Sequence, residues 1–179
     1  MYIGIVPTSI GLLEIIIDDH FLFRISFPAS ENSSTVCKQN PVICLPSDDH
    51  LLLCRVKAQL NEYFQGNRQK FDLPLHLEGT VFQQAVWKCM LDIPYGETRT
   101  YGEVAEALGN RNKARAVGGA ANKNPLPMVI PCHRVVGSSG SLTGFAGGAE
   151  VKKFLLDLES RKGFNKQCDL LKIKKNSKQ

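Results

Sequence analysis

Hydrophobic residues in the first third of the chain fall in short blocks. Residues 2–8, 12–18 and 21–27 are rich in Ile, Leu and Phe, and are separated by Ser9-Ile10-Gly11 and by Asp19-His20. Short apolar runs divided by tight turn residues predict strands in an antiparallel meander. Residues 28–46 are polar, proline-bearing and aperiodic, and read as a loop. Leu52, Leu53, Val56, Leu60 and Phe64 then recur at helical spacing. They predict a helix to about Phe64, capped by Ser47 or Asp48 and stopped by Gly66. Residues 71–77 read as extended.

From Thr80 the pattern changes to helices with start signals. Thr80-x-x-Gln83 fits a capping box opening a helix towards Met90, and Thr100-x-x-Glu103 opens a shorter one to Leu108. Gly109-Asn110-Arg111-Asn112 is a turn, and residues 113–121 read as another helix. Two short helices joined by a tight turn predict a helix-turn-helix. Pro125 and Pro127 end it, and an apolar stretch, Met128-Val129-Ile130, follows. A Gly/Ser-rich loop spans 137–148, and a last helix is expected over 149–161. The domain boundary falls near Gly79, giving an N-terminal unit 1–79, a C-terminal unit 80–162 and a tail 163–179.

Charge changes the picture in one place. The chain of 179 residues carries a formal net charge of +5, of which +6 lies beyond Ser160 in seven basic residues and one acid. That tail reads as a solvated terminus. Within the folded part, residues 111–134 hold Arg111, Lys113, Arg115, Lys123 and Arg134 and no acid. The six cysteines, without a basic apolar leader, are expected to be reduced thiols in a cytoplasmic protein. No apolar run approaches the ~18 residues needed to span a bilayer. Cys37, Cys44, His50 and Cys54 have gaps matching no common zinc pattern, so no metal is expected.

The chemistry concentrates in Pro131-Cys132-His133-Arg134-Val135-Val136. A thiol near its reference pKa of ~8.5 holds little thiolate at neutral pH, so a nucleophilic Cys132 needs a base or a positive charge. His133 and Arg134 supply both residue types, although chain neighbours on extended backbone point opposite ways. The second helix of the helix-turn-helix reads Lys113-Ala114-Arg115-Ala116-Val117-Gly118-Gly119-Ala120-Ala121. Paired glycines cost about 1 kcal/mol each against alanine, so they need a reason: close approach to something bulky, or close packing on another helix. A major-groove reader presents several long polar side chains, whereas this helix offers little beyond Arg115. A narrow helix with one long cation suits the minor groove, with that cation inserted into the base stack. Cys132 could then meet a base extruded from the duplex. A soft thiolate attacks saturated carbon, which makes alkyl transfer a natural reaction class.

This constellation resembles the 6-O-alkylguanine-DNA alkyltransferases, or methylated-DNA–protein-cysteine methyltransferases. The matching blocks are Pro131 to Val136, Ile93-Pro94-Tyr95-Gly96-Glu97-Thr98, Tyr101-Gly102-Glu103-Val104-Ala105, Ala114 to Ala120 and Asn124-Pro125. The resemblance implies an α/β N-terminal domain, ribonuclease H-like with an antiparallel sheet, and a helical C-terminal domain with a winged-helix-like helix-turn-helix. It implies that Cys132 accepts the alkyl group once and irreversibly, from 6-O-alkylguanine, with 4-O-alkylthymine as a second candidate donor. His133 would deprotonate Cys132 through a bridging water, with Glu159 orienting His133. Tyr101 would protonate the departing base and help rotate it out, Asn124 would hold the active-site turn, and Arg115 would fill the vacated space. Ala114, Gly118, Gly119, Tyr101, Lys113, Lys123 and Arg134 would line the DNA contact. The expected protein is a monomer on the minor groove of double-stranded DNA, without cofactor. Phe145 stands where many members carry tyrosine. Two other readings remain: a non-catalytic helix-turn-helix regulator, which needs no thiol, and a cysteine hydrolase, which would turn over.

Overall fold

A computed structural model describes residues 1–27, 43–44 and 50–160. Three strands, β1 (Tyr2–Thr8), β2 (Gly11–Ile17) and β3 (Leu22–Ser26), form the expected antiparallel meander. A short fourth strand, β4 (Ile43–Cys44), lies parallel to β1, giving the order β3-β2-β1-β4. Gly11 closes the first hairpin opposite Thr8 at φ 111°, a conformation open to glycine because it lacks Cβ.

Helix α1 (Leu51–Phe64) lies on this sheet. A Cβ on Gly4 of β1 would collide with Leu53, so the glycine lets the helix sit close. Its buried face is Leu53, Val56, Gln59, Leu60 and Tyr63, leaving Leu52 and Phe64 only half-buried. The expected caps Ser47 and Asp48 lie outside the described residues. The observed N-cap is His50, extended at φ −125°, whose Nδ1 accepts from Leu52 N at 3.2 Å. An imidazole nitrogen does here what a short polar side chain usually does.

Both capping boxes form as read, on α2 (Val81–Leu91) and α3 (Tyr101–Ala107). A 3-10 turn (Arg111–Lys113) leads into α4 (Ala114–Asn122), completing the helix-turn-helix. The indole of Trp87 on α2 donates to Ala120 O at 2.9 Å and ties α4 down. A two-residue parallel pairing of β5 (Arg99–Thr100) with β6 (Val135–Val136) sets the start of α3 beside the segment that follows Cys132. Helix α5 (Gly148–Glu159) ends the described chain, and the 163–179 tail lies outside it.

One hydrophobic core runs from β1–β3 and α1 through α2, α4 and α5. Residues 71–77 are extended as expected: Leu22 N donates to Pro74 O at 2.8 Å and His76 N donates to Leu22 O at 3.0 Å. On the other side, Ile25 N of β3 donates to Pro125 O at 2.9 Å. The N-terminal sheet therefore braces the turn that follows Asn124. No helix among the described residues is long and apolar enough to cross a membrane.

Candidate active site and nucleic-acid interface

Cys132 opens a 3-10 turn (Cys132–Arg134) directly after Pro131. Asn124, just past α4, builds the wall opposite. Its Nδ2 donates to Ile130 O at 2.8 Å and to Cys132 Sγ at 3.0 Å, while its Oδ1 accepts from Leu126 N at 3.0 Å. The turn so pinned forces Met128 to φ 69°, a left-handed conformation that costs a non-glycine residue roughly 1–2 kcal/mol. Cys132 is only 6% exposed. Burial pushes its thiol up to about 11, against the opposing pull of the Asn124 hydrogen bond and the Lys152 charge. The resting group at neutral pH is therefore the thiol, and a nucleophile requires removal of its proton.

His133 is fully buried. Its Nε2 lies 2.8 Å from Glu159 Oε1, which as a carboxylate can only accept, so this nitrogen carries the proton. Nδ1 then presents a lone pair; it is buried and has no partner among the described residues. Burial holds the imidazole below its ordinary pKa, with Glu159 pulling the other way. A neutral, oriented imidazole with one open basic nitrogen is the form a general base must take.

Glu159 is the hub. Oε1 accepts from His133 Nε2, from Arg134 Nη2 at 2.9 Å and from Tyr63 Oη at 2.6 Å; Oε2 accepts from Arg134 Nε at 2.8 Å and Gly96 N at 3.2 Å. Burial alone would raise its pKa, but the bonds from His133 and Arg134 prevail and hold it at about 2. Gly96 takes φ 79°, and a Cβ there would stand 2.9 Å from Glu159 O, so the close approach of this loop to α5 requires glycine.

Arg134 departs from expectation. Read from the sequence as a DNA contact and as a positive neighbour for the thiol, it is 6% exposed. Its guanidinium is committed to Glu159 and to Ile93 O at 2.6 Å. A carboxylate that matches the planar fork of arginine outcompetes solvent once both are buried. The cation whose charge acts on Cys132 is Lys152, which sequence reading missed. It is wholly buried, and its Nζ donates to Val135 O at 2.6 Å and Thr143 O at 3.3 Å. The available signal was spacing: Lys152, Leu155 and Glu159 share one face of α5. Tyr63 was missed too, because an aromatic on an apolar helix face looks like core until its hydroxyl is seen to have a charged partner.

Tyr101 opens α3, and its hydroxyl donates to Thr143 O at 2.9 Å. Burial raises its pKa, and a thiolate at Cys132 would raise it further, so it is a proton-bearing phenol beside the thiol site. Phe145 packs edge-on to His133 at 6.4 Å and to Phe27, just past β3, at 6.2 Å.

On the adjoining surface, Lys113, Arg115, Gly119 and Lys123 are exposed, while Ala114 and Gly118 are half-buried. A Cβ on Gly119 would meet nothing within 4 Å, and one on Gly118 would touch only the Tyr101 ring at an ordinary 3.8 Å. Packing inside the described molecule therefore does not require this glycine pair. Of the five basic residues read as one patch, Arg134 is spent inside, and Arg111 lies 3.6 Å from Glu106. Lys113 sits 5.7 Å over the Phe82 ring.

Comparison with known proteins agrees with this geometry. Residues 1–77 match the family model described as 6-O-methylguanine DNA methyltransferase, ribonuclease-like domain, and residues 81–161 match 6-O-methylguanine DNA methyltransferase, DNA binding domain. The methylated-DNA--protein-cysteine methyltransferase of Methanosarcina acetivorans is 54% identical over 101 residues, 56% of this chain and 65% of that protein. The constitutive enzyme of that name from Bacillus subtilis is 51% identical over 108 residues, 60% of this chain and 66% of its own length. These alignments thus span just under two thirds of the relatives. The crystal structure of Mycobacterium tuberculosis OGT in complex with DNA superposes with a TM-score of 0.80 at 40% identity, covering 90% of this chain and 94% of that one. With both halves of the chain matched, and a thiol, a buried histidine and a helix-turn-helix assembled around one turn, the chain belongs to the 6-O-methylguanine DNA methyltransferase family.

Proposed function

We propose that this protein repairs DNA by moving an alkyl group from 6-O-alkylguanine in duplex DNA onto its own Cys132, once per molecule. The observation that carries the reading is the buried thiol held by Asn124 next to a neutral His133 whose Nδ1 lone pair is open and whose Nε2 is anchored on Glu159. In the step, the thiol proton passes to His133 Nδ1 through a water, and the sulfur attacks the saturated alkyl carbon. The S–C bond forms as the O–C bond breaks. The electron pair of the broken bond stays on the guanine, which takes a proton from the Tyr101 hydroxyl. The thioether is stable, so no second nucleophile follows and the protein is consumed.

Reaching a base in duplex DNA requires extruding it, at a cost of a few kcal/mol. Helix α4 supports docking in the minor groove: its exposed edge includes Arg115, Ala116 and Gly119, and the glycines answer to an external partner because nothing among the described residues needs them. Arg115 then occupies the space left in the stack, while Lys113 and Lys123 meet phosphates. In this reading residues 1–79 brace residues 80–162, which carry the reaction. The protein acts as a cytoplasmic monomer without cofactor.

The test is to incubate the protein with a duplex containing 6-O-methylguanine and to map adducts by mass spectrometry. One methyl group on the Cys132 peptide, saturating at one per molecule, is expected. An unmodified Cys132 peptide, or an undiminished loss of substrate methyl with Cys132→Ser, would overturn the reading. Multiple turnover would point to a hydrolase. Full function in Cys132→Ser would point to a regulator.

A further inference from the structure

The relay from Cys132 to Glu159 lies in the C-terminal half, yet a side chain from the N-terminal half reaches its far end. Tyr63 sits on the inner face of α1, fully buried, its ring packed against Phe64, Phe71 and Tyr95 at centroid distances of 5.4, 5.3 and 6.2 Å. Its hydroxyl donates to Glu159 Oε1 at 2.6 Å and lies 3.4 Å from His133 Nε2. Burial, and then the Glu159 charge, push its ionisation well above the ordinary range, so it remains a donor.

Oε1 is shared by three donors, Tyr63, His133 and Arg134. The guanidinium grips both carboxylate oxygens, and Gly96 N adds a fifth bond. That grip fixes the plane of the carboxylate without help from the phenol. The hydroxyl therefore contributes less to where Glu159 sits than to how much negative charge Oε1 has left for His133. A donor that draws on this charge weakens the pull of the carboxylate on a second proton at the imidazole. The other groups facing His133 are Lys152 and Glu159 from α5, and Cys132 and Arg134 from its own turn. Phe145 packs on its ring. Tyr63 is the contribution from α1.

We propose that Tyr63 is a positioning residue of the relay: by donating into Glu159 it keeps His133 uncharged and its Nδ1 free to take the thiol proton. The inference rests on the relay reading above. It also gives the N-terminal domain a part in the chemistry beyond bracing.

The experiment compares full-length wild type with Tyr63→Phe, which keeps the ring and removes only the hydroxyl. Single-turnover alkyl transfer is measured against pH, together with an NMR titration of 13C-labelled His133 and the Nε2–H proton resonance at neutral pH. In Tyr63→Phe the acid limb of the rate and the His133 titration move to higher pH by about half a unit or more. The Nε2–H resonance moves downfield as Oε1 becomes the stronger acceptor. A purely structural hydroxyl would lower stability and move none of these. Unchanged readouts, or a shift to lower pH, would overturn the proposal. Should Tyr63→Phe fail to fold, replacing Tyr63 by 3-fluorotyrosine keeps the contact with a stronger donor; the same readouts then move the opposite way, and their constancy would overturn the proposal. Failure of the relay itself looks different: the acid limb would survive His133→Gln, while the NMR readouts alone still decide the role of Tyr63.

Discussion

Replacing Glu159 by glutamine tests the hub of the site, since it keeps the shape and removes the charge. The structure supplies the magnitude in two ways. Glu159 is held at about 2 against an ordinary 4.5. That difference corresponds to about 3 kcal/mol of stability at neutral pH. Independently, breaking one partner of a buried ion pair costs roughly 3–5 kcal/mol, and Arg134, 6% exposed, would be the stranded charge. A glutamine also turns an NH2 towards one of the donor groups that now converge on the carboxylate. The sign with pH follows from the depressed pKa. The stabilisation is complete above 4.5 and is lost as pH falls towards 2. Trp87, the single tryptophan and 2% exposed, reports unfolding by fluorescence. Urea titrations should show Glu159→Gln less stable by about 3–5 kcal/mol at neutral pH, narrowing by about 2 kcal/mol near pH 3, where the unfolded carboxyl takes up a proton that the folded one still refuses. A penalty below about 1 kcal/mol, or one that does not change over that range, would refute the reasoning.

Other consequences separate the buried cation from the surface ones. Arg134→Met should destabilise the fold by roughly 3–5 kcal/mol yet leave the salt dependence of DNA binding unchanged. Lys123→Met should flatten that dependence by about 0.9 for each phosphate it no longer neutralises, with stability within about 0.5 kcal/mol; the reverse pattern would return Arg134 to the interface. Asn124→Ala leaves Leu126 N unpaired and removes the donor to Cys132 Sγ. Unfolding should then show a loss of roughly 1–3 kcal/mol, and Cys132 should react more slowly with iodoacetamide near pH 9 because its thiol rises further; equal reactivity would contradict the role of the amide. Arg115→Ala should impair transfer from duplex DNA more than from single strands, since only the duplex leaves a stack to fill. Equal losses in quenched-flow rates would sink that role.

The local features were largely legible in the chain. The three-strand meander, the capping boxes at Thr80 and Thr100 and the helix-turn-helix all depend on near neighbours, whose spacing sets which backbone groups are satisfied. The motif around Cys132 was legible for the same reason. The α1 cap was not, because His50 is an uncommon cap residue and its role follows from the backbone at the start of the helix. The β5–β6 pairing was missed because two-residue strands are too short to carry a period.

By itself, the sequence determined which residue types stood ready: one thiol beside a histidine, a basic stretch, and a narrow helix with a glycine pair. Tertiary structure decided what each was for. It turned Arg134 inward to Glu159, brought Lys152 to within electrostatic reach of Cys132, left the glycine pair of α4 without a packing reason among the described residues, and carried Tyr63 across 96 positions to the carboxylate. The physical reason is that charge and burial are properties of position in space. An arginine is a surface cation or half of a buried pair according to which carboxylate the fold delivers, and neither spacing nor composition holds that information.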